Sequence, residues 1–215
     1  LEQWLSSLRA LVLVEYPPKG LELLRLCKKH HVKTICLVDI DWFNPKEAWC
    51  SLVDWFVCPN QHTFTTLSTN GFKNARLIPC SIDTDYFPFT LRRTCSSFLF
   101  NNGWGGFRQR KGFDLVQQVF NQVDYPLHVN SQLKIEDWVR PSIQVHVGNL
   151  PTRKELYAKG DIYLAPTRWE GWGLHIAEAM ACGLPALVTS GLPMCEYVQT
   201  TRYHISILSV KKMNE

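Results

Sequence analysis

The sequence predicts an α/β protein made of two Rossmann-like parallel-sheet domains, both expected to be incomplete. Three observations predict it. Short apolar runs alternate with helical patterns along the chain. The runs are continuously apolar, as in strands covered on both faces, and helical crossovers between them imply parallel pairing. A turn-rich stretch without period, "SIDTDYFPFTLRRTCSS" (81–97), interrupts the alternation in mid-chain.

Taken in order, the chain opens on a helix-like segment, and "ALVLVE" (10–15) reads as a buried strand. "PKGLELLRLCKKHH" follows as a helix, with Leu21, Leu24 and Cys27 at helical spacing and basic residues at its C-terminal end. "VKTICLVD" (32–39) is a strand, "KEAWCSLVD" a helix candidate and "WFVCP" a short strand. "NQHTFTTLSTNG" is a helix stopped by Asn70-Gly71, and "ARLIPC" the next strand. After the interruption come the strand "FLFNNG" (98–103), the helix "KGFDLVQQVFNQV" and the strands "LHVN" and "IQVHVG". The helix "TRKELYAKG", the strand "DIYLAP", the helix "LHIAEAMACG" ended by Gly183 and the strand "PALVTS" complete the pattern. Three spans are expected: an N-terminal domain at 1–88, an interdomain linker at 89–97 and a C-terminal domain at 98–215.

Composition narrows the function. Of 215 residues, 46% are hydrophobic and 20% charged, a globular rather than disordered balance. A net charge of +4 argues against a nucleic-acid partner and is compatible with a cleft that receives an anion. The eight cysteines form no C-x-x-C pair and mostly sit in apolar runs. Buried free thiols in a reducing, cytoplasmic compartment are therefore expected, and no metal site. No run approaches the ~20 apolar residues of a membrane span. The chain starts at Leu1 with no visible signal peptide, and the expectation is that a segment upstream was removed or never included.

In open parallel sheets ligands bind outside the carboxyl ends of the strands. Three such ends carry informative residues. "FLFNNGWGGFRQRKG" places Gly103, Gly105 and Gly106, then Arg108, Arg110 and Lys111, between strand and helix, a combination of backbone N–H groups and cations suited to phosphate. A flexible surface loop is an equally good reading of that stretch alone. "DIYLAPTRWEGWGLHIAEAM" puts Glu170 beside Gly171 and Gly173 just before a helix, and Glu178 within it. A buried glutamate is costly unless partnered, and carboxylates accept hydrogen bonds well from sugar hydroxyls. Asp39, Asp41, Trp42 and Phe43 follow a third strand, where an ordinary loop with its aromatic packed down is the better reading.

"PTRWEGWGLHIAEAMACGLPALVTSGLPMCEYV" resembles the donor-site signature of retaining glycosyltransferases of the GT-B fold (family four, group 1 type), whose two acids are separated by seven residues. Glu170, Gly171, Gly173, Leu174, Glu178, Ala179, Gly183 and Pro185 match. "LIPCSIDTDYFPF" resembles the family's interdomain segment, and "RKGFDLV" (110–116) its donor-phosphate segment. The resemblance runs from about Leu77 to Val198.

It implies sugar transfer, with retention, from a nucleotide-diphosphate donor to a glycan, lipid or small-molecule acceptor, without a cofactor. By resemblance Lys111 contacts the diphosphate, Glu178 the ribose and Glu170 the transferred sugar, while Gly171, Gly173, Leu174, Arg108, Arg110 and Gly103 help bind the donor. The first half becomes the acceptor-side domain and the second the donor domain. The sequence shows no membrane association, though a peripheral one is compatible with it. The family's arginine after the first donor-loop glycine is replaced by Trp104 or a glycine, and its early glycine-rich loop and N-terminal-domain histidine have no match. Both halves fall short of the ~150 residues usual for a single domain. The alternatives are a non-catalytic sugar-nucleotide or interaction module and, ranked below it, a GT-B epimerase or phosphorylase.

Overall fold

The computed structural model describes residues 1–15, 20–105, 109–135, 138 and 140–198. The chain divides into two compact units, Leu1–Cys80 and Ser81–Glu215.

In the first unit, helix α1 (Glu2–Leu5) precedes strands β1 (Ala10–Val14), β2 (Lys33–Leu37), β3 (Trp55–Cys58) and β4 (Ala75–Leu77). Helix α2 (Gly20–Lys29), a 3-10 helix at Ala48–Leu52 and helix α3 (Gln61–Thr69) connect them. The strands are parallel and lie in sequence order, β1-β2-β3-β4. Each crossover steps the same way, so right-handed connections all fall on one face. Leu24 of α2, Trp49 and Cys50 of the 3-10 helix and Leu67 of α3 accordingly share one core with Cys36, Phe56 and Cys58. The opposite face carries Val12 and Val14, 59% and 57% exposed. Here the apolar run "ALVLV" is covered on one side only among the described residues, unlike the two-sided cover its composition suggests. The Asn60 side chain caps α3 by accepting from the Thr63 N–H at 2.8 Å, and Asn70 and Gly71 end it as expected. Phe43 packs edge-on against Trp49, Phe56 and Phe72, which fits the packed-down reading of its loop.

The second unit holds β5 (Phe98–Gly103), β6 (Leu127–Ser131), β7 (Ile143–Val147), β8 (Ile162–Ala165) and β9 (Ala186–Val188). Its helices are α4 (Phe113–Phe120), α5 (Leu174–Ala181) and α6 (Met194–Val198), with a 3-10 helix at Arg153–Tyr157. The parallel order is β7-β6-β5-β8-β9. The chain winds outward from β5 in one direction, then restarts beside it at β8 in the other, the Rossmann-like arrangement. Two cores result, one per face. Leu99, Tyr163, Ala165 and Ile176 belong to one, and Phe100, Val116, Leu127 and Val129 to the other. Adjacent Leu99 and Phe100 point oppositely, as the strand period of two requires. Both segments expected as α-helices, "KEAWCSLVD" and "TRKELYAKG", form five-residue 3-10 helices; each has only a short span in which to reach the next strand.

Residues 81–97 pack on the second unit, so the division falls earlier than 89–97. Phe87 is buried against Tyr157 with ring centres 5.9 Å apart, the Thr90 N–H donates to the Cys182 carbonyl, and Arg92 donates to the Tyr157 carbonyl. Asp161 accepts from the N–H and hydroxyl groups of both Ser96 and Ser97. A segment without secondary structure is held here by side-chain anchors that no periodicity reveals.

All eight cysteines are free thiols, and Cys27, Cys36, Cys50, Cys58 and Cys182 are buried. Among the described residues no helix is long and apolar enough to cross a membrane, and no three His, Cys, Asp or Glu side chains are grouped to hold a metal.

Candidate functional site

The order of the second sheet reverses between β5 and β8, and the segments leaving their carboxyl ends part there. A cavity of about 600 Å³ opens at this place. Its floor is amide-rich. Asn130 donates to Asn101 Oδ1 at 2.8 Å, Asn102 Nδ2 to Ser131 Oγ at 3.0 Å, and Gln132 to Asn149 Oδ1 at 2.8 Å. Asn102 is 4% exposed and its Oδ1 has no partner among the described residues, leaving a buried acceptor at the end of β5. Gly103, Trp104, Arg110, Lys111, Arg153, Tyr157 and His175 also line it.

The β5–α4 segment is fixed to the segment that follows β8. Arg168 donates its N–H to the Arg110 carbonyl at 2.8 Å and its guanidinium to the Gln109 carbonyl at 2.7 Å. It also grips both oxygens of Asp114, at 2.9 and 2.7 Å. The hydrogen bond and charge of Arg168 outweigh burial and hold the Asp114 carboxyl below its usual range. Gly112 makes the close approach possible. Its φ is +75°, and a Cβ there would lie 2.3 Å from the Pro166 carbonyl oxygen. Gly112→Ala is therefore expected to destabilise the fold by about 2 kcal/mol or more and to displace Lys111. Denaturant unfolding checks the first effect, and nucleotide affinity the second.

Both signature acids are buried, Glu170 at 7% exposure and Glu178 at 3%. Glu170 Oε1 accepts from Lys111 Nζ at 2.5 Å and from His175 Nε2 at 2.9 Å; Arg110 lies 3.9 Å from Oε2. Burial pushes this carboxyl up, but the His175 hydrogen bond and charge, with Lys111, hold it down at about 2. The His175 charge acts only where the ring is protonated, in the acid range where Glu170 titrates; at neutral pH the charge is supplied by Lys111. Glu178 sits one turn inside α5, gripped by Arg153 at 2.6 Å (Nη2 to Oε1) and 3.2 Å (Nε to Oε2), and accepts from the Tyr157 hydroxyl at 2.6 Å. Burial drives the Tyr157 phenol far above its ordinary range, so it stays a donor.

Neither acid lines the cavity itself; each is met through side chains that do, Lys111 and His175 for Glu170, Arg153 and Tyr157 for Glu178. Of the other residues singled out in the sequence, Gly103 and Arg110 line the cavity, and Arg108 lies outside the described residues. Gly171, Gly173 and Leu174 are absent from the lining. Gly173 starts α5 at φ +68°, and a Cβ there would meet the Tyr197 ring at 2.8 Å, so packing alone requires glycine. Arg153, Tyr157, Tyr163, Arg168 and His175 were not singled out. The four-residue spacing in "RKELY", Arg153 to Tyr157, was readable, but which acid they meet was not.

A family model for glycosyl transferases group 1 matches residues 105–212. The chain belongs to the group 1 glycosyl transferases. No curated protein sequence matches it. Among solved structures this group 1 chain resembles a GtfA/B complex at 15% identity and a TM-score of 0.69, over 100% of this chain and 49% of that one. It also resembles the pneumococcal O-GlcNAc transferase GtfA in complex with UDP and GlcNAc (16%, TM-score 0.61, 88% and 44% covered). A third is the lipopolysaccharide outer core galactosyltransferase WaaB (15%, TM-score 0.60, 89% and 60% covered). At such identities the likeness establishes the GT-B fold alone. The chain spans about half the length of these structures.

Proposed function

We propose that this chain is a nucleotide-sugar glycosyltransferase, or a large part of one, and that its second unit binds the donor. The observation that carries the reading is the cavity at the β5/β8 reversal, where Lys111 and Arg110 meet a buried Glu170 at the start of α5. The cations and the N-terminal end of α5 stabilise the negative charge that develops as a nucleotide diphosphate departs, with no cofactor required. Glu170 addresses the transferred sugar and Glu178 the ribose once the donor displaces side chains that stand between each acid and the cavity, Lys111 for one, Arg153 and Tyr157 for the other; the buried Asn102 Oδ1 offers one further acceptor to a donor hydroxyl or N–H. Transfer proceeds with retention, the acceptor attacking on the face from which the diphosphate leaves, so the enzyme supplies no general base. The acceptor is a glycan, a lipid or a small molecule. Eight unpaired thiols fit a reducing compartment such as the cytoplasm. That a solved neighbour is described in complex with UDP and GlcNAc supports this donor class.

Calorimetric titration with UDP, GDP, ADP and dTDP tests the reading. Binding of at least one is expected, with affinity reduced in Lys111→Met. Folded protein that binds none of them overturns it. Binding without sugar transfer or donor hydrolysis across an acceptor panel would instead favour a non-catalytic module.

A further inference from the structure

His175 lines the cavity, although only 17% of its side chain is exposed. Its ring stands between Tyr163 Oη, 2.9 Å from Nδ1, and Glu170 Oε1, 2.9 Å from Nε2. A carboxylate only accepts, so Nε2 carries the hydrogen, and in the neutral ring Nδ1 accepts from the Tyr163 hydroxyl. Glu170 Oε1 thus takes hydrogen bonds from His175 and Lys111 together.

Among the described residues, the charged and titratable groups near the ring come from several elements. Glu170 precedes α5 and Glu178 lies within it; Arg110 and Lys111 arrive from the β5–α4 segment, Tyr163 from β8, and Arg153 with Tyr157 stand behind Glu178. Burial and the Lys111 charge hold the imidazole below its ordinary range, against the pull of Glu170 and Glu178. Among the described residues, with the ring neutral, Lys111 and Arg110 leave the Glu170 cluster one charge positive. A donor diphosphate, with a negative charge on each phosphate, reverses that balance. It also draws Lys111 away from Glu170, and the neighbouring anions then favour the imidazolium.

Building on the donor reading above, we propose that His175 is a positioning residue of the donor site, which keeps hold of the Glu170 carboxylate as Lys111 engages the diphosphate and takes up a proton from solvent in doing so. The bound state holds a proton that the free protein lacks. Affinity therefore rises as pH falls and weakens as pH climbs past the ordinary imidazole range.

The test is calorimetric titration of the full chain with UDP-, GDP-, ADP- and dTDP-glucose in buffers of low and high ionisation enthalpy. In these sugars both phosphates are esterified and do not titrate near neutrality, so proton uptake reports on the protein. For whichever sugar binds, the wild type is expected to take up a fraction of a proton at pH 7, and its Kd to rise about tenfold from pH 6 to pH 8. His175→Gln keeps an N–H donor to Glu170 but cannot titrate; it is expected to bind more weakly than the wild type at pH 6, with no uptake and a flat pH profile. A purely structural role would leave the uptake unchanged in that variant. Wild-type binding without uptake, or equal uptake in His175→Gln, overturns the inference and leaves the donor reading standing. No binding of any of the four by folded wild type overturns both. The buffer series on the wild type can overturn the inference even if the variant misfolds.

Discussion

Replacing Lys111 by methionine is expected to lower kcat/KM for sugar transfer by about 10²–10³-fold, measured by steady-state turnover. The substitution removes the cation nearest the proposed diphosphate and leaves Glu170, 7% exposed, without the ammonium 2.5 Å away. Lys111→Arg is expected to recover only part, because a planar fork cannot reproduce a compact point charge at one carboxylate oxygen. A second readout follows from the Glu170 carboxyl, held at about 2 against an ordinary 4.5. A depressed carboxyl stabilises the fold fully above its unfolded value, and that stability is lost as pH falls through the folded one. Lys111→Met is thus expected to cost about 1–2 kcal/mol at neutral pH, and the gap from wild type to narrow as pH falls toward 2. Urea midpoints from pH 3 to pH 7 check this. A gap that stays constant across the series would show that the ion pair does not set the Glu170 titration.

Glu178→Gln is expected to weaken nucleotide binding about 10- to 100-fold, the usual worth of one hydrogen bond to a charged group. The variant keeps an oxygen for the Tyr157 hydroxyl, so its stability loss should stay near 1 kcal/mol. Glu178→Ala is expected to cost about 2–4 kcal/mol, because Tyr157, 2% exposed, loses its acceptor and the Arg153 guanidinium its partner. Arg153 is 55% exposed at its side chain, so Arg153→Met should cost about 1 kcal/mol or less. A double-mutant cycle of Arg153→Met with Glu178→Gln is expected to show coupling of about 0.5–1.5 kcal/mol. Zero coupling in stability and in nucleotide affinity would mean that the guanidinium does not hold the carboxylate in solution.

The two acids were legible because their setting is anomalous at the level of local sequence. A carboxylate directly ahead of two glycines, and another among Ala, Met and Ile on one helix, are both costly without partners. The sequence could not name those partners, since Lys111 lies 59 residues from Glu170, and Arg153 lies 25 from Glu178. Arg168 sits in a loop with nothing in its neighbouring sequence to mark it, and its grip on Asp114 exists only once the strand order has brought two segments together. His175 is a polar residue on an otherwise apolar helix, and its place is explained only by Tyr163 and Glu170 on either side of the ring.

By itself the sequence determined the α/β alternation, all nine strands found among the described residues, the helix begun at Gly173 and ended by Gly183, and the pair of acids on which the family resemblance turns. All of these rest on local rules: backbone conformation, side-chain periodicity and the cost of burying charge. Tertiary structure decided that the first sheet runs 1-2-3-4 and has its helices on one face, whereas the second reverses between β5 and β8. It also decided that residues 81–97 pack on the second unit and that each acid meets the cavity through a basic or aromatic intermediary. Strand order and long-range ion pairs arise from contacts between residues far apart in the chain, which no window of sequence contains.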